Sequence, residues 1–498
     1  MEKRLYCGLV LSLEEIALRR VVTRLWNESV FDSGEKLRYI WDIVEGEVKD
    51  KVSKLMLPES FKKRIMHLVR PIGSGILNWQ VYHEDNFIAA GEVFDLHILQ
   101  QLRWTYAGAI DYRKTAEELI RLEMFDVKKR YELACFYCLE DKIPLLWEEF
   151  CEKYKGSFRE KMLPFLETPL THYWACILKG EESNLGQTHE RLISSPFSFN
   201  QFAFKRTALK GNRAATEYFF QKLTDEEREP FFIFHVVEAV IGGRFRNSFK
   251  LHCNFPVENL SGVLCYLLSI MSPEQQMQVF RKYSCEVLIC FLVWPLENLF
   301  LDIADICWSL IPERQYAWLL YNIHEDIRTL GYYLGNLFQK FFLGSPRNFR
   351  KFFVMHEGLS RPLFSEYFHA EDTETIEVIF RNIDAADRPI LVFCGGHVHR
   401  ILCDFILSGR WHIVKVCIRE ARLSRADRKL LMLAFMLLVK VTAGVPSVEW
   451  KTQKIERFFE FFDEIDASSV NKRSAGGETL TRVKKLCCEE EKNVIPRN

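Results

Sequence analysis

Four side chains within ten residues have the types and spacing of a metal site: Cys394, His397, His399 and Cys403. Thiolate and imidazole ligands together suit tetrahedral zinc, and Gly395-Gly396 gives the segment a place to bend. Against that reading, His397 and His399 stand only two apart. The set also falls at a helix junction, where a glycine turn is expected anyway. All four ligands would have to close on one ion, so the expectation is no metal and no cofactor.

The other candidates for chemistry are weaker. Cys135-Phe136-Tyr137-Cys138 has CxxC spacing, but it reads as mid-helix on an apolar face with no second pair at zinc-site distance. A buried structural pair is the expectation. Gly73 and Gly75 do not make a nucleotide loop, because the third glycine of a dinucleotide fingerprint would fall at Asn78. No GxxxxGK[ST], HExxH or GxSxG occurs. Asp225, Glu226 and Glu227 read as the first turn of a helix, where the helix dipole accounts for them. Lys62, Lys63 and Arg64 read as a solvated helix face, and Cys487-Cys488 as unpaired surface cysteines. No catalytic residue is assigned, and the chain is not expected to be an enzyme.

Composition bounds the rest. The chain has 498 residues, 67 Lys+Arg and 67 Asp+Glu, so its formal net charge is zero and gives no electrostatic case for nucleic acid. Phe is abundant at 40, against 24 Gly and 16 Pro, which favours packed helices over a turn-rich sandwich. Fifteen cysteines, odd in number and irregularly spaced, suit reduced thiols in a cytoplasmic or nuclear setting. The first residues lack a signal peptide's long apolar stretch, and the apolar run Leu430 to Val439 is too short to span a bilayer. An intracellular protein with protein partners is expected, with no nucleic acid, membrane or small-molecule substrate.

These residues need elements to position them, and the stretch Gln201 to Phe232 shows what those are. Phe204, Ala208 and Leu209 share one helical face; Gly211-Asn212 interrupts; Ala215, Tyr218, Phe219 and Leu223 form a second face. Thr224 and Glu227 then make a capping-box pattern. Related helix starts recur at Ser272-Pro273, Ile311-Pro312, Ser345-Pro346, Ile383-Asp384 and Leu423-Ser424. Matched positions Arg228, Gln276, Gln315, Phe349, Arg388 and Arg428 repeat at irregular intervals of about 34–48 residues. The spacing predicts an all-α solenoid of helical pairs. Ala208, Phe219, Leu223, Ile413, Val416 and Cys417 are expected on its buried faces.

Gly409-Arg410-Trp411-His412-Ile413-Val414-Lys415-Val416-Cys417-Ile418 resembles the second-helix consensus of the ankyrin repeat, Gly-His-x-x-Ile-Val-Lys-Leu-Leu-Leu. Lys210-Gly211 through Phe220 fits the same frame, and Thr168-Pro169-Leu170 is similar to the repeat's Thr-Pro-Leu-His start. His172 comes one place late and Gly180 three places late, and most copies lack the β-turn signature. The resemblance, from Glu117 to Lys440, implies an ankyrin-like solenoid that recognises proteins without chemistry of its own.

Residues 1–115 form a separate N-terminal region. Ser12 and Glu15 cap a helix whose apolar face is read as Leu13, Ile16, Ala17, Val21 and Leu25. A second helix is read from Glu35 to Met56. Leu57-Pro58-Glu59 opens a third, which Pro71, Gly73 and Gly75 are expected to end. Ile76 to Arg113 carries no clear pattern. Leu13, Ala17 and Val21, followed by Leu57-Pro58, resemble the boxes by which substrate receptors dock onto cullin ubiquitin ligases. There a Ser/Thr-Leu-x-x-x-Cys/Ala-x-x-x-Val helix precedes a Leu-Pro helix start. The gap here is longer than in those boxes. The alternative is an N-terminal helical cap, with Leu13, Ala17 and Val21 packed on the first repeats. Residues 116–440 are the solenoid, 441–466 a last helix with Ile455, Phe458, Phe459 and Phe462 inward, and 467–498 a polar tail.

The leading functional expectation is a non-enzymatic interaction scaffold; the alternative is a substrate receptor of a cullin-type ligase. Elemental analysis is expected to find no stoichiometric zinc. About one zinc per chain, lost in Cys394→Ser, would restore the metal reading.

Overall fold

Short helices leave many carbonyls without intrahelical partners, and this chain meets the problem with one repeated turn. Glu123, Cys138, Gly180, Gly211, Glu371 and Gly409 all have left-handed backbones, with φ from 51 to 80°. Each donates its N–H to the carbonyl three residues back. The residue after each donates to the carbonyl five residues back, as Asn212 does to Thr207, Asp372 to Tyr367 and Arg410 to Phe405. This is the Schellman pattern. After Gly211, Glu371 and Gly409 the next residue is already the N-cap of the following helix. Asn212 and Asp372 close that cap by accepting from the N–H groups of Ala215 and Thr375.

The computed structural model describes residues 11–32, 37–87, 96–153, 170–182, 185, 197–246, 257–330, 335–356, 363–364, 366–393, 398–441, 453 and 456–462. Among the described residues the chain is helical, and the one β-bridge joins Trp104 and Ile110. It divides into two compact units, Met1–Pro346 and Arg347–Asn498.

The first unit opens with α1 (Leu13–Asp32), α2 (Leu37–Ser53) and α3 (Glu59–Phe87). After a 3-10 turn at Leu96–Gln101 come α4 (Tyr112–Arg121), α5 (Val127–Phe136), α6 (Ile143–Lys153) and α7 (Leu170–Lys179). Then follow α8 (Phe199–Leu209), α9 (Arg213–Lys222), α10 (Pro230–Arg246), α11 (Val257–Ile270) and α12 (Pro273–Cys290). The unit ends with α13 (Glu297–Cys307), α14 (Glu313–Leu330) and α15 (Gly335–Gly344). Neighbours in sequence pack on one another: α8 on α9 and α10, α10 on α11 and α12, α12 on α13 and α14. Aromatic rings fill the joints, as where Tyr173 meets Phe219 at 5.0 Å and Phe300 meets Phe341 at 4.9 Å.

The second unit contains α16 (Arg347–Met355), α17 (Thr373–Arg381), α18 (Arg388–Phe393), α19 (Val398–Ser408), α20 (Trp411–Ala421) and α21 (Arg425–Val441). Phe353, Phe364, Phe368, Phe380 and Phe405 are buried in its core. Arg381 grips Glu420 through two hydrogen bonds of 3.0 and 2.9 Å, tying α17 to α20. Phe458 and Phe461, in the helical segment 456–462, pack on Phe435 and Trp411. Ile455 and residues 467–498 lie outside the described residues.

The expected helix starts at Ser272-Pro273, Ile311-Pro312, Ser345-Pro346 and Leu423-Ser424 fall at or beside a helix boundary, whereas Ile383-Asp384 leads into a turn and the helix begins only at Arg388. Four of the matched positions share a further role. Arg228 donates to the Phe220 carbonyl, Gln276 to Leu268, Arg388 to Arg381 and Arg428 to Leu423. The first three side chains reach back to the end of the preceding helix and supply a donor that the helix lacks, while Arg428 reaches Leu423 in the linker after it. Ala208, Phe219, Leu223, Ile413 and Cys417 are buried as expected. Val416 is only half-buried, and Val414 takes the inward place instead.

Three local readings are corrected. Thr224 and Glu227 do bond reciprocally, but they close an isolated turn. The following helix begins only at Pro230, because a proline disfavours helical geometry in the residue before it. Cys135 and Cys138 are not mid-helix: α5 ends at Phe136, and Cys138 is the left-handed residue of the turn. Finally, α3 does not stop at Pro71, Gly73 and Gly75 but runs through them to Phe87. Its glycine is needed for packing, since a Cβ on Gly73 would lie 2.1 Å from the Trp26 ring. A Cβ on Gly75 meets nothing within 4 Å.

Gly73→Ala is therefore expected to lower the melting temperature, because a rigid indole must move. Gly75→Ala is expected to raise stability by about 0.5–1 kcal/mol through helix propensity alone. Denaturant melts of the two variants check the contrast, and equal effects would remove the packing explanation.

Candidate partner-docking site

The N-terminal surface is set by how α1 lies on α3. Leu18, Val22, Trp26 and Val30 are buried, one place along from the face read in the sequence. Trp26 decides this register. Its ring stacks on Trp41 at 4.9 Å, occupies the notch at Gly73, and donates from Nε1 to the Val69 carbonyl at 2.8 Å. Arg19 adds a second anchor. It donates to the Ala107 carbonyl at 2.7 Å, and its guanidinium lies 4.3 Å from the Trp294 ring centroid. Burial pulls the Arg19 pKa down, while Glu297 and Glu15 oppose that. Trp294 in turn donates to the Gly108 carbonyl at 3.4 Å.

With those residues inward, the sequence-derived docking residues face out. Leu13 is 87% exposed, Ala17 is exposed and Val21 is half-buried. The expectation that Leu13 and Ala17 pack inward as a cap is thereby corrected: the inward contacts of α1 come from Leu18, Arg19, Val22 and Trp26. Before α3, Leu57 is 38% exposed, Pro58 is exposed, and Met56 is 99% exposed. An ion pair between Glu14 and Arg64 joins the first turn of α1 to the start of α3. The two halves of the pattern, well separated in sequence, thus share one end of the α1–α3 pair. Sequence reading missed Met56 and the bridging role of Arg64.

The bundle is joined to the helices that follow it through α3. His83 is buried, stacked on Trp79 at 3.9 Å, and its two ring nitrogens meet the Trp79 carbonyl at 2.8 Å and the Tyr137 hydroxyl at 3.0 Å. Burial lowers its pKa to about 3, and the Trp79 carbonyl opposes that shift. The buried thiols are shifted the other way. Burial pushes Cys138, Cys285, Cys290, Cys307 and Cys403 up to about 12, which keeps them protonated and poorly nucleophilic.

Of the metal set, Cys394 and His397 lie outside the described residues. His399 is half-buried and Cys403 buried, four apart on α19. Among the described residues no group of three or more His, Cys, Asp or Glu side chains is placed to hold a metal ion. No described helix is long and apolar enough to cross a membrane. No family model matches this chain, and a search of curated proteins finds no match.

His83 makes stability depend on pH with a definite sign. Its ordinary pKa of 6.5 applies in the unfolded chain, and about 3 in the fold. Above pH 6.5 both states are neutral and the full stability is present. As pH falls, the unfolded chain takes up a proton that the fold refuses. Stability is expected to drop by about 1.4 kcal/mol per pH unit between those two values. Melting at pH 7 and pH 5 should show a larger loss for the wild type than for His83→Phe; parallel losses would exclude this source.

Proposed function

We propose that the protein is a non-enzymatic protein–protein interaction scaffold that presents a surface of ankyrin-like helical pairs. One observation carries this reading: the same Schellman corner recurs in both units, three times with the next helix starting at once, and in two of these with a side-chain cap. Corners of this kind stack short helices that cannot stand alone, and stacked pairs offer broad surfaces for partners. Reach-back donors at Arg228, Gln276, Arg388 and Arg428 support the same unit of repetition. The high thiol pKa values and the absence of catalytic motifs in the sequence support a role without chemistry.

A second reading is favoured by a specific feature. Leu13 and Ala17 are exposed, as are Leu57 and Pro58, and this exposure supports the resemblance to a cullin-ligase docking box. Apolar side chains gathered on a surface mark partner sites. In this reading the N-terminal helices hold a ligase adaptor and the helical pairs select a substrate, in an intracellular setting.

Affinity capture of the full chain from cells, read by mass spectrometry, tests both. Reproducible partners are expected, and their absence would oppose the scaffold. Leu13→Asp is expected to change stability by no more than about 0.5 kcal/mol, since the side chain is at the surface. If the docking reading holds, the same variant loses adaptor and cullin subunits while the other partners stay. Capture that never includes an adaptor removes the docking reading and leaves the scaffold.

A further inference from the structure

We propose that Lys205 and His235, with Phe197 and Phe231, form a docking point for a partner segment that presents a carboxylate beside an apolar side chain. The proposal rests on the scaffold reading and names one of its contact sites.

Lys205 on α8 donates from Nζ to Nε2 of His235 on α10, at 2.8 Å. This is an unusual pairing, because two groups that can both carry positive charge face each other. Among the described residues, no carboxylate forms an ion pair with Lys205. Burial lowers the Lys205 pKa. Burial also lowers that of His235, and the Lys205 charge adds to the effect. The imidazole is thus held neutral as an acceptor for the ammonium.

The carboxylate that is near, Glu238, is already engaged. One turn along α10 from His235, it forms an ion pair with Lys282 and accepts from the Tyr283 hydroxyl at 2.8 Å, both on α12. The groups facing His235 are therefore Lys205 from α8, Glu238 on its own helix, and Lys282 and Tyr283 beyond it. Tyr266 of α11 faces Arg213 instead. The line carries two lysines against one carboxylate, and the excess charge sits at Lys205.

An apolar seat lies alongside. Phe197 has its ring centroid 6.1 Å from that of His235 and 5.7 Å from the Lys205 ammonium. Phe231, one turn before His235 on α10, is 76% exposed. An incoming carboxylate would accept from Lys205 and from His235, which then takes a proton from solvent at its ring. Its apolar neighbour would cover Phe231. Charge complementarity thus selects an acidic and apolar segment over a basic or purely apolar one. Because binding favours the imidazolium, affinity should rise as pH falls.

The test uses phenylacetate as probe on the full chain, with the histidine rings labelled for NMR and the His235 signal identified by His235→Gln. Saturable binding, roughly millimolar for so small a ligand, is expected to raise the His235 pKa. Phenylacetamide, which lacks the charge, should leave it unchanged. Lys205→Met should weaken phenylacetate about tenfold, as expected for loss of a charged hydrogen bond at a half-buried site. No saturable shift of His235, or an equal response to phenylacetamide, overturns the site. So does binding unaffected by Lys205→Met in a variant whose melting curve shows it folded. The titration needs no partner, so it is separable from the scaffold test. Captured partners without a phenylacetate site would sink this proposal alone.

Discussion

An all-helical chain built largely from short segments must satisfy helix ends again and again. The C-terminal end exposes carbonyls, and the N-terminal end N–H groups, that no residue of the same helix can reach. Here three devices share the work: left-handed corners, N-caps that follow them at once, and long donors that reach back from the next helix. Because the corner needs a left-handed residue, glycine is the natural occupant, and Gly180, Gly211 and Gly409 provide it. Glu123, Cys138 and Glu371 adopt the same geometry without that freedom. The surrounding helices hold them there, so the corner is a property of the packing as well as of the residue.

The same logic explains the chemistry of the interior. Closely spaced short helices leave little room for water between them, and aromatic rings fill the joints. Some polar groups caught inside find partners, as His83 does with Tyr137 and as Thr216 does by donating to the Asn212 carbonyl. Thiols caught there stay protonated. Where charge remains, it is gathered into networks such as Arg381, Glu420, Arg419 and Glu377, in which the Arg381 guanidinium holds Glu420 below the usual carboxylate range.

The N-terminal bundle shows how one large side chain can choose a surface. Trp26 is accommodated only because α3 has no side chain at Gly73. Once the indole is seated, the helix is rotated so that Leu18 and Val22 face inward. Leu13 and Ala17 are turned to solvent by the same rotation. A surface that could receive a partner is in this sense a consequence of a packing choice made more than a turn away.

The amino-acid sequence determined the helical class, most helix starts and several caps, because those depend on neighbours within four residues. Ser12 with Glu15, the helix start at Ser272-Pro273, and the turns at Gly211 and Gly409 are legible for that reason. It also placed Phe219, Ile413 and Cys417 inside, since helical spacing gives their faces directly. What it left open was decided by contacts distant in the chain. Proline and two glycines in α3 read as a stop, yet the helix runs through them, and the gap at Gly73 is filled by the Trp26 ring. The apolar residues of α1 permit two neighbouring faces, and only the indole and Arg19 select between them. Lys205 and His235 lie 30 residues apart and carry no joint signal. Their pairing exists only because α8 and α10 pack side by side.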